Sequence, residues 1–279
     1  MTEKTQKTYS KIKLTSSNYY SNEANWQYQS VSIFKNFMKC EAAALAELKG
    51  EWQPERDQTP LLVGNYLHSY FESKEAHQDF LNEHGTEILA QAGKNKGKPK
   101  KDYQVGDAMI KSLADDETFV NLYQGQKEVI VKGQIDGINW MGKLDCFPDN
   151  HKYFADLKTT QDLHKKYWLS DQSRYGTFIE AYDYPIQMAV YQELIRQQYG
   201  AEATPLIVAV TKQDPPDKAI ISIEQPILDF WLEQVKEMQG HIQAVKNGEA
   251  VPTHCGHCDY CRATKKLTGV VDMQTLLIS

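Results

Sequence analysis

Apolar and polar positions along the chain follow two periods. Apolar residues recur at helical spacing over 32–48, over two segments covering roughly 60–90, over 102–114, and over most of 171–199 with a break at Asp183-Tyr184-Pro185. The same spacing returns over 225–245, where Phe230, Trp231, Val235 and Met238 are expected in the core. Between these stretches lie runs of strand character at 128–131, 138–147, 153–159 and 206–211, and an edge strand at 219–223 follows the Asp214-Pro215-Pro216-Asp217 turn. Helices before and after a cluster of strands predict an α/β or α+β fold, a central mixed β-sheet flanked by helices. Residues 1–28 are polar and weakly patterned and read as an N-terminal arm, 29–267 as one domain, and 268–279 as a tail.

Two of the strands carry the most informative chemistry. Gly142-Lys143-Leu144-Asp145 is followed, eleven residues after Asp145, by Asp156-Leu157-Lys158. Pro148-Asp149-Asn150 is a turn signal, so the two strands form a hairpin. A turn centred near Asn150 sets Asp145 opposite Asp156, where cross-strand Cβ atoms lie roughly 4.5–5.5 Å apart. Lys158 shares the Asp156 face because side chains alternate along a strand. Adjacent unpaired carboxylates repel, and a hard divalent cation with an ammonium group is the usual compensation. The same spacing also fits an exposed hairpin with surface charges, and spacing alone leaves both open. Upstream, Thr59-Pro60 starts a helix on which Gly64, His68 and Glu72 share a face. Downstream, Gln187 and Tyr191 share a helix face, a pattern that a half-buried polar pair also satisfies.

Taken in order, a helical His68, the strand Asp145, the D-x-K of Asp156-Leu157-Lys158 and the Gln-x-x-x-Tyr of Gln187 and Tyr191 resemble the PD-(D/E)xK nuclease superfamily. The resemblance is to its RecB-like and RecE-like phage recombination exonucleases and spans about 30–265. The literal Pro148-Asp149 pair sits at the turn, so Asp145 takes the strand position. The resemblance implies a restriction-endonuclease-like core with a helical N-terminal region. It implies Mg²⁺ (or Mn²⁺) held by Asp145, Asp156, the Leu157 backbone carbonyl and His68. Lys158 would orient a water and offset charge on the phosphate, Gln187 and Tyr191 would steady the site or touch the DNA backbone, and Glu72 would support His68. The implied activity is that of a deoxyribonuclease, an exonuclease at the ends of linear double-stranded DNA in phage-type recombination. A single-strand-annealing recombinase is the implied partner, and homo-oligomers are common among such enzymes. The alternatives are a single-strand or structure-specific nuclease of the CRISPR-adaptation type, and a non-catalytic DNA-binding or assembly module.

Cysteine usage adds a second candidate site. Of five cysteines, Cys255, Cys258 and Cys261 stand at C-x-x-C-x-x-C spacing in a C-terminal cluster, Cys40 lies far upstream, and Cys146 adjoins Asp145 as a small core residue. An odd total with no signal peptide argues against a secreted disulfide framework. The run resembles those that ligate 4Fe–4S clusters, and some RecB-like nucleases use one upstream and three downstream cysteines in this way. Their final spacing is longer than the one here. Zn²⁺ on the same four cysteines, or on three with His254 or His257, is the alternative, and free reduced thiols the third.

Composition bounds the rest. The chain has 279 residues, 41% of them hydrophobic, enough for a full core. It has no 18-residue apolar run, Walker loop or dinucleotide fingerprint, so a membrane span or an ATP-driven motor is not expected, and the lack of targeting signals points to the cytoplasm. A net charge of −6 argues against a nucleic-acid partner unless local charge dominates. Lys94, Lys96, Lys98, Lys100 and Lys101 put five lysines in eight residues, a solvated loop that is also a candidate for phosphate contacts.

Overall fold

The structure is a computed structural model that describes residues 12–55, 57–267 and 269–274, so the first eleven residues of the expected arm and part of the expected tail lie outside the described residues. The chain divides into two compact units, one of residues 1–56, 132–141 and 233–279, the other of 57–131 and 142–232. Three short helices open the described chain. In α1 (Asn22–Gln27) and α2 (Val31–Lys39), the Ser21 and Ser30 hydroxyls accept from the backbone of the first turn, the usual serine N-cap. The single helix expected over 32–48 is two, because Cys40 is extended (φ −166°, ψ 106°) and separates α2 from α3 (Glu41–Lys49).

The second unit begins with α4 (Thr59–Glu72), which has Pro60 in its first turn, where a missing N–H costs nothing. Then come α5 (Lys74–Ile88), capped by Ser73, α6 (Lys101–Ala114), and α7 (Glu117–Leu122), capped by Asp116. The strands are β1 (Gln126–Ile135), β2 (Ile138–Phe147) and β3 (Tyr153–Thr160). The start of the expected helix over 171–199 is instead part of a two-stranded hairpin, β4 (Tyr167–Leu169) and β5 (Arg174–Gly176). Helix then resumes in α8 (Phe178–Ala181) and α9 (Tyr184–Tyr199), broken at Asp183, whose φ is +52°. Completing the chain are β6 (Thr204–Thr211), β7 (Lys218–Ser222), α10 (Gln225–Lys246) and α11 (Asp259–Thr264).

The main sheet has five strands in the order β1-β2-β3-β6-β7, with β2/β3 and β6/β7 antiparallel and β3/β6 parallel. Alternation along β3 assigns its two faces. Ala155 and Leu157 join Cys146, Val208 and Val210 in a core with Val63 and Leu67 of α4, Met109 and Leu113 of α6 and Phe119 of α7. Phe154 faces the other way, toward Tyr191 of α9 at a ring distance of 6.3 Å. Helices therefore cover both faces of β3, as an internal strand with parallel pairing requires. Each large apolar side chain buried this way stabilises the fold by roughly 1.5–3 kcal/mol. In α10 the buried positions are Leu228, Val235, Gln239, Ile242, Val245 and Lys246, whereas Phe230 is 55% exposed. The expectation that Phe230 lies in the core is wrong because it stands about 200° around the helix from Leu228.

The first unit is organised around Trp140. Its ring packs on Phe34 at 5.6 Å, and its Nε1–H donates to Gln239 Oε1 at 2.8 Å. Lys246 is buried nearby in sequence terms of α10, its ammonium donating to the Asn25 carbonyl (3.0 Å) and Gln29 Oε1 (3.3 Å), with no carboxylate paired to it among the described residues. Burial lowers its pKa from 10.5 to about 8. The unfolded chain therefore binds more protons than the folded one between these values, so the burial penalty is fully present below pH 8 and is relieved as the pH rises to 10.5. Relative to Lys246→Met, the wild type should gain up to roughly 3 kcal/mol of unfolding free energy between pH 7 and 10.5. Urea midpoints at the two ends of that range check this, and a constant difference between the proteins would contradict it.

Candidate active site and cysteine centre

The β2–β3 hairpin sets the frame of the first site. Cys146 pairs with Ala155, which puts Asp145 across from Asp156. Asp156 is only 2% exposed: Gln187 Nε2 donates to Oδ1 at 2.8 Å, and Lys158 Nζ lies 2.5 Å from Oδ2, an oxygen with no hydrogen-bond partner among the described residues. Asp145 Oδ2 accepts the Leu157 N–H at 2.7 Å and lies 3.4 Å from His68 Nδ1, while His68 also hydrogen-bonds the Leu157 backbone. Helix α4 thus delivers His68 from one side of β3 and α9 delivers Gln187 from the other.

A residue that the sequence reading did not single out completes the cluster. Glu128 of β1 lies with His68 and Asp145 so that one ligand atom from each falls within 4.8 Å of the others. It also pairs with Lys143. Its φ of +54° is rare for a non-glycine residue inside a strand, a conformation that costs on the order of 1–2 kcal/mol and turns the side chain out of strict alternation. The available signal was a carboxylate opening the strand that precedes Gly142-Lys143-Leu144-Asp145, but period-two reasoning does not reveal a backbone excursion.

Electrostatics follow from burial. Desolvation raises Asp145 and Asp156 from 3.8 to about 6 each, against the field of Lys158. Burial and the Lys158 charge lower His68 to about 4, so near neutral pH its contact with Asp145 is that of a neutral imidazole. Burial alone would lower the Lys158 ammonium, but the Asp156 and Asp145 carboxylates hold it above its ordinary value. Three carboxylates, Glu128, Asp145 and Asp156, face two ammonium groups, Lys143 and Lys158. The donor set of carboxylate oxygens, a neutral imidazole and one net negative charge fits a hard divalent cation.

The remaining expected site residues are placed as follows. Tyr191 is a packing residue: its ring fills the space that a side chain at Gly142 would occupy, with Cε1 and Cδ1 only 2.5 and 2.7 Å from the position of an added Cβ. Glu72 has its pKa raised by burial and by the charge of Glu128, and no hydrogen bond to His68 is found among the described residues. The five lysines are all exposed. Their loop is hydrogen-bonded to itself through Ala90 N–H to Lys98 O (2.9 Å) and Gly97 N–H to Ala90 O (2.9 Å), and Lys100 Nζ donates to Thr86 O at 3.1 Å. Cys146 is a buried core residue whose thiol pKa is raised by burial.

In the other unit, Cys40, Cys255, Cys258 and Cys261 bring their sulfurs within 4.8 Å of one another. Cys40 to Cys261 is 3.6 Å and Cys255 to Cys261 is 3.9 Å, far beyond a disulfide bond of about 2.05 Å. The extended Cys40 is what turns its thiol out of the α2–α3 line. Glu41 ties the distant segments together, because its Oε2 accepts from Thr253 N–H (2.8 Å) and Oγ1–H (2.9 Å) and its Oε1 lies 3.0 Å from His241 Nε2. Against burial, N–H groups of His257 and Cys258 hold the Cys255 thiol down to about 6, while burial pushes Cys258 up to about 12. Amides aimed at a sulfur and four thiols gathered within 4.8 Å are a donor set suited to a soft or borderline cation. His254 Nδ1 is 3.6 Å from Cys261 Sγ, whereas His257 Nδ1 is occupied by the Cys255 carbonyl at 2.9 Å.

The chain is similar to known proteins over most of its length. Residues 30–264 match the family described as "PDDEXK-like domain of unknown function (DUF3799)". A crystal structure described as a "Putative exonuclease" from Eubacterium rectale is 35% identical to this chain, covers 95% of it and 98% of its own length, and superposes with a TM-score of 0.87. The chain belongs to this PDDEXK-like family and so to the PD-(D/E)xK nuclease superfamily. A second solved structure, SSO0001, aligns over 82% of this chain and 93% of its own at 14% identity, with a TM-score of 0.29. No curated protein matches the chain.

Gly142→Ala should overpack the Tyr191 contact and cost about 1–3 kcal/mol, lowering the Tm by several degrees. Thermal unfolding followed by circular dichroism checks this, and an unchanged Tm would show that Tyr191 yields freely.

Proposed function

We propose that the protein is a metal-dependent deoxyribonuclease, an exonuclease acting at the ends of linear double-stranded DNA in phage-type recombination. The observation that carries this reading is the buried Asp156, gripped by Lys158 and Gln187, beside the His68, Glu128 and Asp145 cluster with its excess negative charge. Likeness to a structure described as a "Putative exonuclease" supports end-directed over internal cleavage.

In this reading Asp145, Asp156, the Leu157 carbonyl and His68 hold Mg²⁺ or Mn²⁺, and Glu128 joins them. The cation supplies Lewis-acid polarisation of the scissile phosphate and activation of a water. The chain's own groups do the rest. Lys158, fixed by Asp156, keeps its proton and places a positive charge where negative charge grows on the phosphate. Gln187 prevents Asp156 from rotating, and His68 stays neutral so that a ring nitrogen lone pair remains available. Tyr191 holds α9 against β2 through Gly142 and is thereby a positioning residue. DNA is the partner, and a single-strand-annealing recombinase would use the exposed strand.

For the four cysteines we propose a single tetrahedrally held ion, zinc. Four thiolates about 2.3 Å from one ion lie roughly 3.8 Å apart. The observed separations of 3.6 and 3.9 Å support that arrangement over a four-iron cubane, which pushes its ligands further apart.

End-labelled linear DNA and a covalently closed circle, each with Mg²⁺, test the first reading. Wild type should degrade only the linear form, and Lys158→Ala, Asp145→Ala or Asp156→Ala should lower the rate by about 10²–10³ or more. Cleavage that survives in Lys158→Ala would refute the site assignment. Elemental analysis of protein purified without oxygen should find one zinc per chain, lost in Cys258→Ser together with thermal stability, and iron with a visible absorption band would favour the cluster instead.

A further inference from the structure

The β4–β5 hairpin has two unlike faces. Its register pairs Tyr167 with Gly176, Trp168 with Tyr175, and Leu169 with Arg174. One face is anchored: Leu169 packs so closely over Gly176 that a side chain there would meet its Cδ1 at 2.5 Å, and Arg174 is tied to Glu180 of α8 at 2.5 Å. The opposite face carries the cross-strand pair of Trp168, 56% exposed, and Tyr175, 63% exposed, with ring centroids 5.2 Å apart. Two large rings held side by side in water, on a strand pair too short to be stable alone, call for something that covers them.

Position and charge identify the occupant. From Lys158 in the site, a chain of contacts runs to Tyr184 (Nζ to ring 5.1 Å), on to Tyr182 (5.9 Å), then to Tyr167 (5.6 Å) on the anchored face, which ties the hairpin that carries Trp168 to the site. Lys165 Nζ lies 5.1 Å from the half-buried Tyr167 ring, which is on the anchored face, whereas Lys166, exposed, adjoins β4 two residues before Trp168. An exposed ammonium next to a pair of exposed aromatic rings is the chemistry that binds a nucleic-acid strand whose bases are unpaired, phosphate on the lysine and bases on the rings. A duplex interior offers no free base face, and an acidic peptide would use the lysine but not the rings.

We propose that the β4–β5 hairpin is a stacking platform, with Trp168 and Tyr175 receiving unpaired nucleobases of the DNA strand next to the site. This rests on the nuclease reading of that site. The platform would hold a frayed end or single-strand overhang and so bias the enzyme toward ends with unpaired bases.

The test separates bases from phosphates. A fluorescently labelled thymidine oligonucleotide of about 12 residues and an abasic oligonucleotide of equal length and charge are titrated with full-length protein in EDTA, with affinity read by anisotropy. Wild type should bind the thymidine strand at least about five-fold more tightly than the abasic one. The W168A/Y175A double variant should lose that preference, weakening thymidine binding by roughly five- to a hundred-fold and leaving abasic binding unchanged, while W168F retains most of it. Equal binding of the two strands by wild type, no binding of either, or a preference that survives the double substitution would overturn the platform, and the face would then serve another partner. Because no cleavage is needed, a retained base preference without Mg²⁺-dependent cleavage would sink the nuclease reading alone. Cleavage without base preference would sink the platform alone.

Discussion

The grip of Lys158 and Gln187 on the buried Asp156 carboxylate is the constraint from which the second unit is built. A carboxylate that is 2% exposed costs several kcal/mol to desolvate and is tolerated only when its charge is compensated. The Lys158 ammonium beside Oδ2 and the Gln187 hydrogen bond to Oδ1 offset that cost in part and fix the rotamer of Lys158 on the same strand and the position of Gln187 on α9, while Oδ2 keeps no hydrogen-bond partner among the described residues. The residue between the two charges, Leu157, points into the opposite core by strand alternation. The Asp-Leu-Lys triplet is therefore both a packing rule and a chemical one. An apolar middle residue secures β3 between layers of helices, and that burial creates the low-dielectric setting in which the flanking charges act strongly.

The hairpin, its register and the pairing of Asp145 with Asp156 were legible because turn chemistry and period-two alternation are local. So were the helix that carries His68 and the break at Asp183, where proline follows closely. Four features were not legible. Cys40 looks like one more residue of a continuous helical pattern, and only the sulfur of Cys261, far away in sequence, explains why the backbone straightens there. Glu128 enters its cluster through a left-handed backbone conformation that no side-chain pattern signals. Phe230 belongs to the apolar residues that recur at helical spacing in α10, but the buried stripe passes through polar Gln239, which is paired with the Trp140 indole, so hydrophobicity alone puts the helix out of phase.

The hairpin at 167–176 was lost for a related reason. Its three-residue strands are shorter than the window over which periodicity is readable, and one face faces water, so neither alternation nor a buried run marks it. What holds it is the capping box at Thr177 and Glu180 together with the Arg174 pair, contacts between residues that each look like ordinary surface polarity.

The discontinuous make-up of the first unit bears on the order in which the molecule can be made. His68, Glu128, Asp145, Asp156, Lys158, Gln187 and Tyr191 all precede residue 192, and their unit ends at Leu232. The unit that holds Cys40 draws on three separate stretches and cannot close until residues as late as Cys261 have left the ribosome. A growing chain thus carries every residue of the acidic site before its thiols can gather. Cys40 must wait as a reduced, unpartnered group through the synthesis of more than two hundred residues, a period in which the cell's thiol chemistry rather than the fold protects it.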